Sequence, residues 1–242
     1  MNLGPNQAIK TLRDGASWHG GDHKWSLPVA QPDGTYAAGE WTPTVAPSIC
    51  GKGWHLTTQP ALWWSHDGNV AAYLAEYDGA TSAREGDDKI AVERCRLLRP
   101  LTKSELESCG IFIDGAHVVK TGTAYASGSA TVYAYGSATV HASGSATVTA
   151  YGSATVTAYG SATVRASGSA TVHASGSAKT HTAGSAVCTA WSGTTLVLTR
   201  DGNGVIIDRR GAAPKTYVKR AGLDGWRYAD GVWSQRKAKA AT

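Results

Sequence analysis

The chain of 242 residues holds one Phe and one Met, against nine Trp and ten Tyr. No run approaches the roughly 18 consecutive apolar residues of a membrane-spanning helix, which excludes that class. Charged residues are only 17% of the chain, but hydrophobic ones are 42%, which excludes global disorder. Cysteine is scarce: Cys50, Cys95, Cys109 and Cys188 show no CxxC and no paired spacing. Reduced thiols are therefore expected, not a disulfide scaffold. GxGxxG and GxxxxGK(S/T) are both missing, so no phosphate-cradling loop is expected. The first six residues lack a basic stretch and an apolar stretch, so no secretory signal is expected.

Acidic residues are missing altogether from 122 to 198, where Arg165 and Lys179 stand as the only full charges. Residues 1–121 hold 11 basic and 14 acidic residues, and residues 199–242 hold 10 basic and 4 acidic. The net charge of +5 thus originates at the C-terminal end. A basic tail solubilises a protein or attracts nucleic acid or another acidic partner.

What is present divides the chain into three zones: 1–110, 111–191 and 192–242. The first carries six of the nine tryptophans. Arg13-Asp14-Gly15 between short alternating runs predicts a hairpin. Residues 20–47, rich in Gly, Pro and Asp, predict a long loop. Gly53–Thr58, Val70–Tyr77 and Lys89–Leu98 read as strands, and Pro60–Trp64 as a short helix with proline in its first turn. Thr102-Lys103-Ser104-Glu105 fits a capping box. Together these predict a small α+β domain.

The second zone is an array of octads, Gly-Ser-Ala-Thr-Val-x-Ala-x, with eight glycines from Gly128 to Gly184 spaced by eight residues. A fixed period signals a repeat architecture. Within Gly136–Ser143, Ala138, Val140 and Ala142 fall on one face of a strand, and Ser137, Thr139 and His141 on the other. Period two with Thr and Val enriched argues strand, and glycine supplies the corners. One octad cannot bury its small apolar face, but a stack can. The array therefore predicts a mainly β protein with a β-solenoid, two or three octads per coil, rungs about 4.8 Å apart. The variable sixth and eighth positions are predicted to face solvent. There Tyr133, Tyr135, His141, Tyr151, Tyr159 and His173 are either a candidate binding row, since Tyr and His are adaptable contact residues, or neutral variation at exposed positions.

The octads resemble the valine-glycine repeats in spikes of contractile phage tails and type VI secretion systems, where three chains intertwine. That resemblance implies a protein partner or self-assembly, including a homotrimer. Ser17-Trp18-His19-Gly20-Gly21, Trp41-Thr42-Pro43, Cys50–Leu56, Ala75–Gly79 and Asp88-Lys89-Ile90 resemble an uncharacterised domain of actinobacteriophages, there also followed by octads. This implies a phage-type structural or binding protein, in the cytoplasm of the bacterial host or in the virion, with no membrane and no cofactor. A looser resemblance is to ADP-ribosyltransferases. It rests on His19, the run Gly53–Thr58 and Glu76, and would give His19, Thr57 and Glu76 catalytic roles with NAD as cofactor. His19-x3-His23 with Cys50-x4-His55 supplies four zinc-type ligands, though at spacings of no common finger, and no metal is expected.

In the third zone, Thr194–Thr199 and Gly204–Asp208 flank Arg200-Asp201-Gly202-Asn203 and predict a hairpin. Leu196, Val197, Leu198, Ile206 and Ile207 are bulkier than the array's apolar residues and predict a cap on the solenoid. Trp226–Trp233 predicts a last hairpin, whose aromatics interleaved with basic residues either pack on the cap or stack on bases.

Overall fold

The computed structural model describes residues 1–17, 23–49, 51–64, 69–84, 88–191, 194–198, 205–209, 215–218, 226–229 and 232–235. It divides into two compact units, Met1–Cys109 and Gly110–Thr242.

In the first unit, four strands close into an antiparallel barrel in the order β1-β4-β6-β5. These are β1 (Gln7–Arg13), β4 (Trp54–Thr57), β5 (Val70–Ser82) and β6 (Lys89–Pro100). Alternation fills the interior with Ala8 and Leu12 from β1, Leu56 from β4, Ala75 from β5, and Val92, Cys95 and Leu97 from β6. The two longest strands run past the ends assigned from sequence. β5 continues through Asp78-Gly79, with register shifts at Leu74/Ala75 and Asp78/Thr81, so a turn signal is absorbed as an irregularity in the ladder. Among the described residues of this unit helix is limited to α1 (Lys103–Ser108) and a 3-10 turn, Pro60–Trp63, so they form a β-barrel and do not confirm an α+β domain.

Arg13-Asp14-Gly15 does make a tight turn, with φ of +50° at Asp14 and +77° at Gly15. The pairing stops at the single bridge Arg13↔Ala16, and β1 finds its ladders with β4 and β5 instead. The proline-rich stretch forms a two-rung hairpin, β2 (Val29–Ala30) with β3 (Tyr36–Ala37). It then runs along β6, donating from Gly39, Thr42 and Val45 to the carbonyls of Leu97, Cys95 and Glu93 at 2.8–3.0 Å. The capping box is present: Thr102 Oγ1 accepts from Glu105 N, and the Glu105 carboxylate accepts from Thr102 N at 2.8 Å.

In the second unit the octads form a two-sided parallel β-solenoid. One sheet takes β8 (Ala116–Val119), β10 (Thr131–Ala134), β12 (Thr147–Ala150), β14 (Thr163–Ala166), β16 (Lys179–Thr182) and β18 (Thr195–Leu198). The other takes β7 (Ile111–Phe112), β9 (Thr123–Ala126), β11 (Thr139–Ala142), β13 (Thr155–Ala158), β15 (Thr171–Ala174), β17 (Val187–Ala190) and β19 (Val205–Asp208). Thr131 pairs with Thr147 and Thr139 with Thr155, so each coil uses two octads. Every Thr, Val and Ala of the array meets its own kind one coil away, until Lys179, Thr180 and Thr182 break the pattern.

Between the octad strands lie mainly small side chains. Val132, Val140, Val148, Val156, Val164 and Val172 are fully buried, with the alanines on either side of them. A narrow core of this kind needs corners that turn in few residues. Each octad glycine sits at φ between +57° and +68°, and the bend at Gly136 is closed by Ala138 N donating to Tyr135 O at 3.1 Å. A positive φ at only the first central residue is the II′ geometry, which glycine adopts without strain. The ladder also continues around the bend, where Ser153 N donates to Gly136 O at 3.0 Å.

Residues 194–208 do not form the expected hairpin. β18 pairs parallel with β16, and β19 pairs parallel with β17, on opposite sheets. They are one more coil. Arg200-Asp201-Gly202-Asn203, read as the turn, lies outside the described residues. Bulkier residues do enter here, as expected of a cap: Ile206 is fully buried above Cys188. β20 (Lys215–Val218) then pairs antiparallel with β19, while β21 (Trp226–Ala229) and β22 (Val232–Gln235) make the predicted last hairpin.

Candidate binding face

In the barrel, the two described residues of those read as catalytic, Thr57 and Glu76, stand on different strands. His19 lies outside the described residues. Thr57 and Glu76 stand on strands that flank β1 on opposite edges, Thr57 across from Ile9 and Glu76 across from Gln7. Thr57 is buried, and its hydroxyl donates to Asp88 O at 2.8 Å and accepts from Gln59 N at 2.9 Å. Glu76 forms an ion pair with Arg96. Of the zinc-type set, His19 and Cys50 lie outside the described residues. His23 and His55 are described, and the His23 ring packs on Trp54 at 4.5 Å. Among the described residues no group of His, Cys, Asp and Glu is arranged to hold a metal. Cys95, Cys109 and Cys188 are free thiols.

The barrel contains one ionisable group that sequence reasoning passed over. Lys10 is buried inside it, its ammonium donating to His55 O at 3.1 Å and lying 4.8 Å from the Trp25 ring centre. Burial lowers its pKa to about 8, and the nearby Cys95 thiol acts weakly the other way. The only sign in the sequence is a lone Lys inside the alternating run Ala8–Leu12.

On the solenoid, the sixth and eighth positions of the octad point outward and stack in columns one coil apart. The two sheets differ. On the β9–β11–β13–β15–β17 side, Tyr125 stacks on His141 with ring centres 4.8 Å apart and planes 21° from parallel. Burial raises the Tyr125 pKa, with a smaller contribution from Tyr159. His141 and Tyr159 are half-buried and Ser143 is buried, so this cluster is largely closed over itself. Higher on the same side His173 is exposed, in register between Thr157 and Thr189. Trp191, also exposed, has the Arg209 guanidinium 5.3 Å from its ring centre.

The β8–β10–β12–β14–β16 side is open. Tyr133, Tyr135 and Tyr151 are 38%, 40% and 40% exposed, which leaves their rings free for a ligand. Tyr135 and Tyr151 stack across one coil at 5.1 Å with planes 12° apart. Their corner column begins at Lys120 and ends in Ser167 and Ala183, as the bonds Tyr135 N to Val119 O, Ser167 N to Ala150 O and Ala183 N to Ala166 O establish. The neighbouring column reads Val118, Tyr133, Thr149, Arg165, His181. The sequence-predicted row is thus two rows on two faces, with Tyr133, Tyr135 and Tyr151 together and His141, Tyr159 and His173 opposite. Lys120 and Val118 join the first group through register, although they precede the recognisable octads.

No family model, no curated protein and no solved structure matches this chain.

Proposed function

We infer that this is a structural or binding protein of bacteriophage type, working in the host cytoplasm or the virion. Its solenoid is a stiff body that displays a small β-barrel in the same chain and presents tyrosine-lined columns to a partner. The observation that carries the reading is the exposed Tyr133, Tyr135 and Tyr151 group, held in register by a ladder whose inner strands are paired on both edges. Such a coil closes within one chain, so any oligomer, a homotrimer included, would form by contact between finished solenoids. An outward tyrosine costs little to order and offers a large amphipathic surface, which suits recognition.

The test is retention of the full chain on a panel of immobilised polymers: nucleic acid, polysaccharide, peptidoglycan and the chain itself. The variant carrying Tyr133→Ser, Tyr135→Ser and Tyr151→Ser is run beside it, with circular dichroism and solution mass as controls. Loss of retention on one polymer with both controls unchanged supports the reading. Equal behaviour of the two proteins on every polymer overturns it.

A further inference from the structure

We propose that the open face of the solenoid binds single-stranded nucleic acid. Its bases would continue the Tyr135–Tyr151 stack over Ser167 and Ala183, and its phosphates would pair with Lys120, Arg165 and Lys179. This rests on the reading of the solenoid as a binding module, and names the ligand class of that same face.

Three observations point the same way. First, the stack is unfinished. Tyr135 and Tyr151 lie nearly parallel on consecutive coils, and among the described residues Tyr151 stacks on no second ring. The next two places in that column are the small residues Ser167 and Ala183, both half-exposed. Side chains this small leave the next places in the column without a ring, where a base would stack. Every base has such a face, and stacking on an aromatic side chain is tolerant of sequence.

Second, the cations bracket the rings. Lys120 occupies the column below Tyr135. Arg165 stands beside Ser167 on the same strand edge, and Lys179 lies one coil further in the Thr131–Thr147–Thr163 column. All three are exposed. From Lys120 to Lys179 is four coils, about 19 Å at the usual strand spacing, long enough for a short run of nucleotides. Third, no Asp or Glu occurs between 122 and 198, so nothing on the array repels a polyanion.

Single strands fit better than duplex. A duplex hides the faces of its bases, and reading their edges needs an element that enters a groove, whereas this surface is flat. A sulfated or uronic polysaccharide would satisfy the cations but leave the unfinished stack without use.

The experiment is fluorescence anisotropy of a labelled twelve-residue oligothymidylate with the full chain, at graded salt. Competing ligands are unlabelled duplex of equal charge and heparin. Tyr135→Ala with Tyr151→Ala is expected to weaken binding at least about tenfold, whereas Tyr135→Phe with Tyr151→Phe retains it. Arg165→Gln with Lys179→Gln is expected to reduce the slope of log affinity against log salt by about 1.4. Circular dichroism of each variant confirms that the coil persists. Oligonucleotide binding that ignores the tyrosines overturns the proposal, since it would then belong to the basic C-terminal residues. Heparin competing as well as oligothymidylate, with equal loss in the Tyr→Ala variant, also overturns it and leaves a binding face for polysaccharide. No retention of any polymer removes both this proposal and the reading beneath it.

Discussion

Gly168 lies directly over Gly152 of the coil below, so that a Cβ on Gly168 would stand 3.1 Å from the Gly152 amide nitrogen. Backbone touches backbone at that corner, and each octad glycine from Gly144 onward meets the glycine sixteen residues before it in the same way. Positive φ and close approach therefore demand glycine independently. Gly122 separates the two causes, since it has φ of +78° with nothing within 4 Å of its would-be Cβ.

Gly122→Ala is expected to cost about 1–3 kcal/mol through backbone strain alone. Gly168→Ala adds the clash, about 2 kcal/mol more. Equilibrium denaturation of the two variants, followed by far-UV circular dichroism, measures the difference. Equal losses at both sites would mean that the coils slide apart to admit a methyl group.

The octad made its strand, its buried face and its corner legible, because alternation and glycine spacing are local signals. The number of octads per coil was not, since two-sided and three-sided coils bury the same Ala-Val-Ala face. Nor could period eight show that Tyr135 stacks on Tyr151 while Tyr133 meets Thr149, which depends on a sixteen-residue register. In the barrel the failure has another cause. Asp78-Gly79 carries turn chemistry, but the cross-strand pairs from Tyr73↔Pro100 to Ser82↔Ala91 override it and make one long strand. Thr57 and Glu76 follow each other in the order of a catalytic motif, yet β1 lies between them.

A core of Ala and Val has no slack. Val156 is fully buried between alanines of both sheets, and Val156→Ala is expected to cost about 2 kcal/mol. Val156→Thr keeps the shape and buries a hydroxyl, costing about 1–3 kcal/mol. Thr180 shows the repeat accommodating that hydroxyl at the equivalent place, where its oxygen lies 3.6 Å from the Cys188 sulfur. Chemical denaturation of both variants checks the pair. A Thr variant as stable as the wild type would mean that a partner for the hydroxyl exists in the middle of the array as well.

Acid should loosen the barrel unit in part through Glu105. Glu105 is held down to about 2 chiefly by its two bonds to Arg99, both 2.7 Å, with Thr102 adding to the effect. The folded pKa lies below the unfolded one, so this contribution is complete above the ordinary carboxylate range and is lost as pH falls from about 4.3 toward 2. Melting temperature measured between pH 2 and pH 6 is expected to fall less steeply for Glu105→Gln than for wild type. Parallel curves would show that the Arg99 pairing is already dissolved in water.

At alkaline pH the barrel should behave in the opposite sense. Burial holds Lys10 at about 8, whereas the unfolded chain titrates near 10.4. Between those values the unfolded chain binds the extra proton, so stability rises with pH. The buried thiol of Cys95, pushed up to about 11, counters this by staying protonated in the fold while the unfolded thiol ionises. Wild type alone would show a compromise between the two slopes, so the informative quantity is the difference between wild type and Lys10→Met. Below pH 8 the variant is expected to be more stable by about 1–3 kcal/mol, because it no longer buries an ammonium whose partners among the described residues are a carbonyl and an indole face and not a carboxylate. That advantage is expected to shrink steadily from pH 8 to pH 10 in denaturant titrations of the full chain. A difference that stays constant across this range would mean that Lys10 keeps its proton in the barrel, and that water reaches it there.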